Sequence, residues 1–415
     1  MKKIVLVYGY YGIGGAQRRV ANLADKLAEL GYLVTIAAVY GDNRSIIGNG
    51  FYQREEKIPV VMIPDYFEEN KGNRLVKNML RKNNAVISIL KKFKYLSFGI
   101  NKWKAFLDRT IRQKTNSLQL KAYFAINEPD IVISFGFNIF ERVFCAVDRR
   151  KQKVVFADTN SNQKYIKDKN YSDTIKLIEK ADAAVFQTKQ QEIDLSADNR
   201  HSYVIHNPIK DDLPERFTGE RRKKIVNFCA LKRHKNLLLL VKSFELLLQR
   251  NIKSNEYQLL LYCDNPQPDY NNKYRKEIVD YICKHNLEMR IKLLPMCADI
   301  HNKIIDSAMF VSSSDYEGIS NSMIEAMAIG LPCVCTDCDG GGAREFIVDG
   351  YNGLLVEKGN EAALAFAMKL MLSDSKLSKK CSENAKKIRD ELSIDNIIKQ
   401  WIVVLNSLYG KQVEM

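Results

Sequence analysis

The stretch Ile4–Val39, IVLVYGYYGIGGAQRRVANLADKLAELGYLVTIAAV, holds a strand, a turn, a helix and a second strand in one reading. The apolar run Ile4–Tyr8 passes into a glycine turn from Gly9 to Gly15, then into a helix over Ala16–Leu30 that Gly31 stops. Val20, Leu23, Ala24, Leu27 and Leu30 recur at spacings of three and four, which marks one buried helix face. A strand over Leu33–Val39 completes a βαβ unit. Two lysines precede the first apolar run, as in a signal peptide, but the run is brief and no small-residue cleavage site follows. It reads as a first buried strand, and a cytoplasmic location is expected.

The same alternation continues outward from this opening. DIVISFGF (Asp130–Phe137), KVVFAD (Lys153–Asp158), ADAAVFQT (Ala181–Thr188) and SYVIHNPI (Ser202–Ile209) have the length and content of buried parallel strands. The polar stretch Lys210–Lys224 breaks the pattern and reads as a domain linker. The alternation then restarts with KIVNFCAL, a helix from Asn236, YQLLLYCD, a helix from Asn272, IKLLP, a helix from Asp299, AMFVSSS, a helix from Asn321 and LPCVCTD. Strands alternating with helices in two halves of similar size predict an α/β protein of two doubly wound, Rossmann-like domains facing across a cleft. The expected division is 1–209, with an insertion at about 51–119, then 210–392, then a C-terminal helix in 393–415.

A chain of 415 residues accommodates two such domains, and 46% hydrophobic with 27% charged residues is the composition of a folded protein. No apolar run approaches the ~18–20 residues of a membrane-spanning helix. Nine cysteines are too sparse for a disulfide scaffold; Cys145, Cys229, Cys263 and Cys283 lie in apolar contexts and are expected to act as small hydrophobes. Cys333, Cys335 and Cys338 invite a zinc reading, but C-x-C-x-x-C lacks the paired spacing of a zinc site, so no metal is expected. Of the five histidines, His206 is expected at the interdomain hinge, and His201, His234, His285 and His301, in polar contexts, in solvent.

The net charge of +15 favours an acidic partner. Thirteen of the basic residues fall between Lys71 and Lys114 against the single acid Asp108, interleaved with Phe93, Tyr95, Phe98, Trp103 and Phe106. Two readings stand for this stretch. It is either a patch for an anionic membrane surface, each cation contributing about 1 kcal/mol, or a set of ordinary surface helices on the first domain. It contains no nucleic-acid module, and no nucleic-acid partner is expected.

The chemistry is concentrated in SSSDYEGISNSMIEAMAIGLP, Ser312–Pro332, where Glu317 and Glu325 stand eight residues apart. Glu317 follows a strand end. Ser320 or Asn321 suits a helix N-cap, and the backbone N–H groups beyond Gly318 then form a phosphate site. Glu325, in the first helical turn, suits a pair of vicinal hydroxyls; Ser322-x-x-Glu325 is equally a capping box, and both readings stand.

The longer segments YEGISNSMIEAMAIGLPCVCTD and GGAREFIVDGYNGLLVEKGN resemble the C-terminal signature of retaining glycosyltransferase family four. GGAQRRVANLADKLAELGYLVTI, ADAAVFQT, VIHNP and LKRHKNLLLLVKSF resemble further landmarks of that family in the same order, everywhere except Phe51–Gln119. The resemblance implies the GT-B fold and a nucleoside-diphosphate sugar, UDP rather than GDP, as donor. It implies that Glu317 contacts the donor sugar near the reacting carbon and that Lys235 pairs with the leaving diphosphate. Gly318, Ile319, Ser320 and Asn321 hold sugar and diphosphate through backbone N–H groups, Glu325 holds the ribose, and Gly14 and Gly15 admit diphosphate or acceptor. No metal or other cofactor is implied. The acceptor is a lipid-linked glycan or a polysaccharide, reached at the anionic face of the inner membrane.

Three departures accompany the resemblance. Cys229-Ala230-Leu231 stands where the family has Gly-Arg-Leu, so the phosphate-binding arginine is missing, with Lys232, Arg233 or Arg18 as substitutes. Cys263-Asp264-Asn265 replaces a glycine-rich turn, and Gln17 a glycine-loop glutamate. Phe135 replaces an N-domain histidine. The expected function is transfer of a hexose or N-acetylhexosamine in cell-surface glycan synthesis. The alternatives are a catalytically impaired partner subunit and a nucleotide-sugar epimerase of the same architecture.

Overall fold

The computed structural model describes residues 1–9, 15–40, 58–63, 115–159, 172–195, 201–215, 217–250, 256–264 and 272–410. Gly14 and the basic stretch Lys71–Lys114 lie outside the described residues. The chain divides into two compact units: Met1–Phe186 with Glu192–Ile205 and Ile398–Met415, and Gln187–Gln191 with His206–Ile397.

The first unit is built on β1 (Lys3–Tyr8), β2 (Leu33–Ala38), β3 (Val60–Met62), β4 (Ile131–Phe135), β5 (Lys153–Ala157), β6 (Ala183–Phe186) and β7 (Ser202–Val204), in the order β3-β2-β1-β4-β5-β6-β7. Every neighbouring pair is parallel. The apolar runs form central strands because they are covered on both faces: every residue of β4 and β6 is buried, whereas the edge strands β3 and β7 are half-buried. Phe140, Phe156 and Phe186 pack in series, with ring centroids 5.0 and 5.9 Å apart. Gly15 opens the helix Gly15–Glu29. From that helix the Arg19 guanidinium reaches the carbonyls of Asp158 at 2.5 Å and Ile205 at 3.3 Å. Burial pulls the Arg19 pKa down to about 10 against the charge of Asp158. Phe135 packs against Trp401 at 6.2 Å and Arg19 lies 5.9 Å from the Phe135 ring, so the position holds an aromatic cluster in place of a histidine.

The second unit is built on β8 (Arg222–Phe228), β9 (Gln258–Asp264), β10 (Ile291–Pro295), β11 (Ser307–Ser312), β12 (Cys333–Asp337) and β13 (Leu354–Glu357), in the order β10-β9-β8-β11-β12-β13, again all parallel. Both sheets are doubly wound, as the alternation predicts. The sequence order reverses beside β8, whose neighbours are β9 and β11, so loops leaving β8 and β11 diverge and open a crevice at their carboxyl ends. The polar stretch before β8 is anchored by Arg221, which donates to the carbonyls of Ile305, Ser307 and Gly330 at 3.1, 3.0 and 2.6 Å.

Some expectations change. Cys229 and Cys263 are buried, but Cys145 and Cys283 are exposed, because each falls on the outer side of its helix. His201 is exposed, but the other three histidines expected in solvent are not. His301 is 5% exposed. His285 stacks on Tyr281 at 4.1 Å and bonds Glu245 at 2.9 Å, and His234 stacks on Tyr316 at 4.8 Å. Partners from other loops and from the facing side of the same helix cover them. Among the described residues no helix is long and apolar enough to cross a membrane.

Candidate active site

The loop leaving β8 runs through Cys229 to a short 3-10 turn, Arg233–Lys235, and then to Asn236, which adopts a left-handed conformation with φ 45°. That conformation suits asparagine better than most side chains. It lets the chain turn sharply into the helix Leu237–Arg250 and aims Lys235 back at the sheet. The loop leaving β11 is laced to it. Ser313 Oγ lies 3.1 Å from the Lys235 carbonyl and 2.9 Å from that of Asn236, while Asn236 Nδ2 donates to Asp315 Oδ1 at 2.8 Å. Asp315 N donates to the His234 carbonyl at 2.8 Å.

The two loops bring Lys235 and Glu317 together: Lys235 Nζ donates to Glu317 Oε2, and the side chains are 14% and 18% exposed. Ser314 Oγ lies 3.4 Å from the same carboxylate oxygen. Burial is the largest single influence and works against the charged ammonium, but the charge and hydrogen bond of Glu317 together with Cys229 and Cys338 exceed it, and the Lys235 pKa stands above the ordinary lysine value. Beside the pair, burial and then the Lys235 charge hold His234 below the ordinary imidazole value. Burial pushes the Cys229 and Cys338 thiols up to about 12, so they stay neutral beside the pair. Among the described residues no cluster of His, Cys, Asp or Glu is suited to a metal ion.

Glu317 N donates to the Asp339 carbonyl at 2.9 Å, and Asp339 pairs with Lys358 at 2.5 Å. Gly318, Ile319 and Ser320 are buried and lead into the helix Asn321–Ala328, whose N-cap, Ser320, makes no side-chain capping bond. The first N–H groups of that helix are therefore not taken by a cap. The Asn321 side chain turns instead to Asn207, which donates to it at 3.2 Å. Glu325 points inward from the same helix, 5% exposed, and accepts from His301 Nε2 at 3.0 Å. With Ser320 as the cap, Ser322 does not close a capping box with Glu325. Arg233 is drawn away from Lys235 to Glu277 and lies over the Tyr274 ring at 5.2 Å. Gly15 belongs to the first unit.

Two contributors escape sequence reasoning. His301 lies 24 residues before its partner on another helix, and no spacing signals the pairing. Gly342 packs so closely on the turn that a Cβ there would stand 1.4 Å from the Gly318 carbonyl oxygen. Nothing in the local sequence Gly340–Ala343 indicates this contact. Gly342→Ala must displace the Gly318 backbone, and we expect about 2–4 kcal/mol of destabilisation. Urea unfolding checks this, with an unchanged midpoint as the contrary result.

Residues 209–388 match the family described as glycosyl transferases group 1. The matched residues all lie within the second unit. The chain is 28% identical over 260 residues to the poly(glycerol-phosphate) alpha-glucosyltransferase of Bacillus subtilis (strain 168), covering 61% of this chain and 37% of that protein. The matched segment thus spans little more than a third of that relative. It is 24% identical over 387 residues to the poly(ribitol-phosphate) alpha-N-acetylglucosaminyltransferase of Staphylococcus aureus (strain COL), covering 86% and 76%. A crystal structure of a variant of S. aureus TarM in complex with Fondaparinux, alpha-GlcNAc-glycerol and UDP superposes with a TM-score of 0.73 at 17% identity, over 98% of this chain and 100% of that one. That likeness gives the fold: two Rossmann-like units, the GT-B architecture. In the second unit, Lys235, Glu317 and the helix bearing Glu325 all stand at the carboxyl ends of β8 and β11, where such sheets bind ligands.

Proposed function

We propose that the protein is a retaining glycosyltransferase of bacterial surface-glycan synthesis. It moves a hexose or N-acetylhexosamine from a UDP-sugar to a lipid-linked, polysaccharide or polyol-phosphate acceptor. The observation that carries this reading is the Lys235–Glu317 pair, held by two loops at the switch point of the second sheet beside an uncapped helix N-terminus. Departure of a nucleoside diphosphate places negative charge on phosphate oxygens. A fixed ammonium and backbone N–H groups stabilise that charge without reorganising, and the site calls for no metal. The sugar becomes oxocarbenium-like at the same moment, and the Glu317 carboxylate beside it matches the developing positive charge. In the unliganded site the two charges satisfy each other; an arriving diphosphate shares Lys235 and leaves Glu317 facing the sugar. Glu325 takes the ribose hydroxyls. The relatives named above, with glycerol-phosphate and ribitol-phosphate acceptors, and a neighbour's complex with UDP support this choice of substrates. The net charge of +15 suits a phosphate-rich acceptor and peripheral attachment to an anionic membrane.

Thermal unfolding against a panel of nucleotides and nucleotide sugars tests the reading. A uridine nucleotide at ~100 times its dissociation constant should add about 2.7 kcal/mol of stability, an increment removed by Glu325→Ala. If no nucleotide shifts the transition while an anionic lipid does, the donor reading fails and an impaired partner subunit replaces it.

A further inference from the structure

We infer that His301 is a positioning residue for the donor nucleotide: its Nε2–H holds the Glu325 carboxylate in the orientation that meets the ribose. The inference rests on the donor reading above and adds a residue that reading does not use.

Three elements converge on the imidazole. His301 sits in the short helix Ile300–Ile304 after β10, and its Nε2 is 3.0 Å from Glu325 Oε2, with both side chains 7% exposed. Phe228, the last residue of β8, meets the imidazole edge-on at 5.7 Å with an interplanar angle of 87°. Phe228 is itself braced by Phe310 of β11 at 5.4 Å. The ring therefore cannot turn freely, and its direction fixes that of the carboxylate. Because the carboxylate accepts, the shared proton belongs on Nε2. A carboxylate this buried needs a donor, since an unsatisfied charge at such depth is costly. A carboxylate has about four acceptor sites, so it can accept from His301 and from a hydroxyl together. A side chain locked by packing and a second hydrogen bond loses little entropy when the ligand arrives. The pair also ties the short helix after β10 to the helix Asn321–Ala328.

The test is the affinity for UDP by calorimetry, together with donor KM and kcat, in His301→Leu, His301→Gln, Glu325→Ala and the double variant His301→Leu/Glu325→Ala. Leucine keeps the apolar packing on Phe228 and removes the donor, and UDP affinity should fall about tenfold, the loss of one charged hydrogen bond. Glutamine carries a donor nitrogen at a similar reach to Nε2 and should stay within about threefold of wild type. The double variant should bind no more weakly than Glu325→Ala alone, because both changes remove one interaction. Donor KM should rise with kcat little changed, a split that a general loss of folding would not produce. If Glu325→Ala weakens UDP but His301→Leu stays within about twofold, the donor reading stands and the positioning role is overturned. Additive losses in the double variant overturn it as well, since His301 would then act apart from Glu325. If neither Glu325→Ala nor His301→Leu alters nucleotide affinity, the ribose role of Glu325 falls, and the inference with it.

Discussion

Glu317→Gln should keep the fold and the nucleotide affinity while lowering kcat by about 10²–10⁴-fold, the range for loss of a charge that acts in the transition state. The substitution is isosteric, and the amide can still accept from Lys235 and Ser314, so the loop after β11 has no reason to move. What disappears is the negative charge beside the reacting carbon. A carboxylate contributes most where positive charge develops, in a site mostly screened from water. With 18% of its side chain exposed, Glu317 meets that condition while remaining reachable by a sugar. In the proposed reading donor binding rests chiefly on the Lys235 ammonium, the helix N-terminus and Glu325, so KM for the donor should change little, which is the signature of an interaction made only in the transition state. Steady-state kinetics with a titration of UDP separates the two effects. Turnover within about threefold of wild type would remove Glu317 from the reaction.

Much of this site was legible in the chain and some was not, for physical reasons. Local signals carried the strands: an apolar run such as Ile131–Phe135, buried at every residue, has no other stable place in a globular protein. The helices announced themselves through caps, as at Asn272, whose side chain accepts from the N–H groups of Tyr274 and Arg275. The edge strands β3 and β13 were missed because each is only three or four residues long and few of those residues are fully buried. The meeting of Lys235 with Glu317 follows from strand order, which brings β8 beside β11 across 82 residues of sequence, and spacing alone does not contain it. The same holds for His301. Asp299, Asn302 and Lys303 give it a mostly polar local sequence, and the atoms that bury it come from Phe228 and Glu325 on two other elements. Arg233 shows the opposite failure. It stands two residues from Lys235 and was expected at the phosphate, but the 3-10 turn rotates it outward to Glu277.

That outward turn sharpens the expectation for Lys235. With Ala230 where the family has an arginine and Arg233 engaged by Glu277, Lys235 is the cation that the loop after β8 presents beside Glu317. Lys235→Met should therefore lower kcat by about 10²–10³-fold, as loss of a preorganised charge at a leaving group does, and weaken UDP as well. It also leaves Glu317 without its partner. Breaking a fully buried pair on one side costs about 3–5 kcal/mol, and the 14–18% exposure here brings the expectation to the low end of that range. The double variant Lys235→Met/Glu317→Gln separates the two roles. Removing both charges should recover most of the lost stability, because no uncompensated charge remains, yet activity should stay at the level of the lower single variant. The pH dependence follows the same pair. The Lys235 pKa is raised in the folded protein, so its contribution to stability is complete below the ordinary lysine pKa and fades only as pH rises through the higher folded value. Between neutral pH and the ordinary lysine value, the stability difference between wild type and Lys235→Met should then be flat. A difference that shrinks steadily across that interval would mean that Lys235 is not held charged by Glu317, and the proposed electrostatic grip on the diphosphate would fail with it.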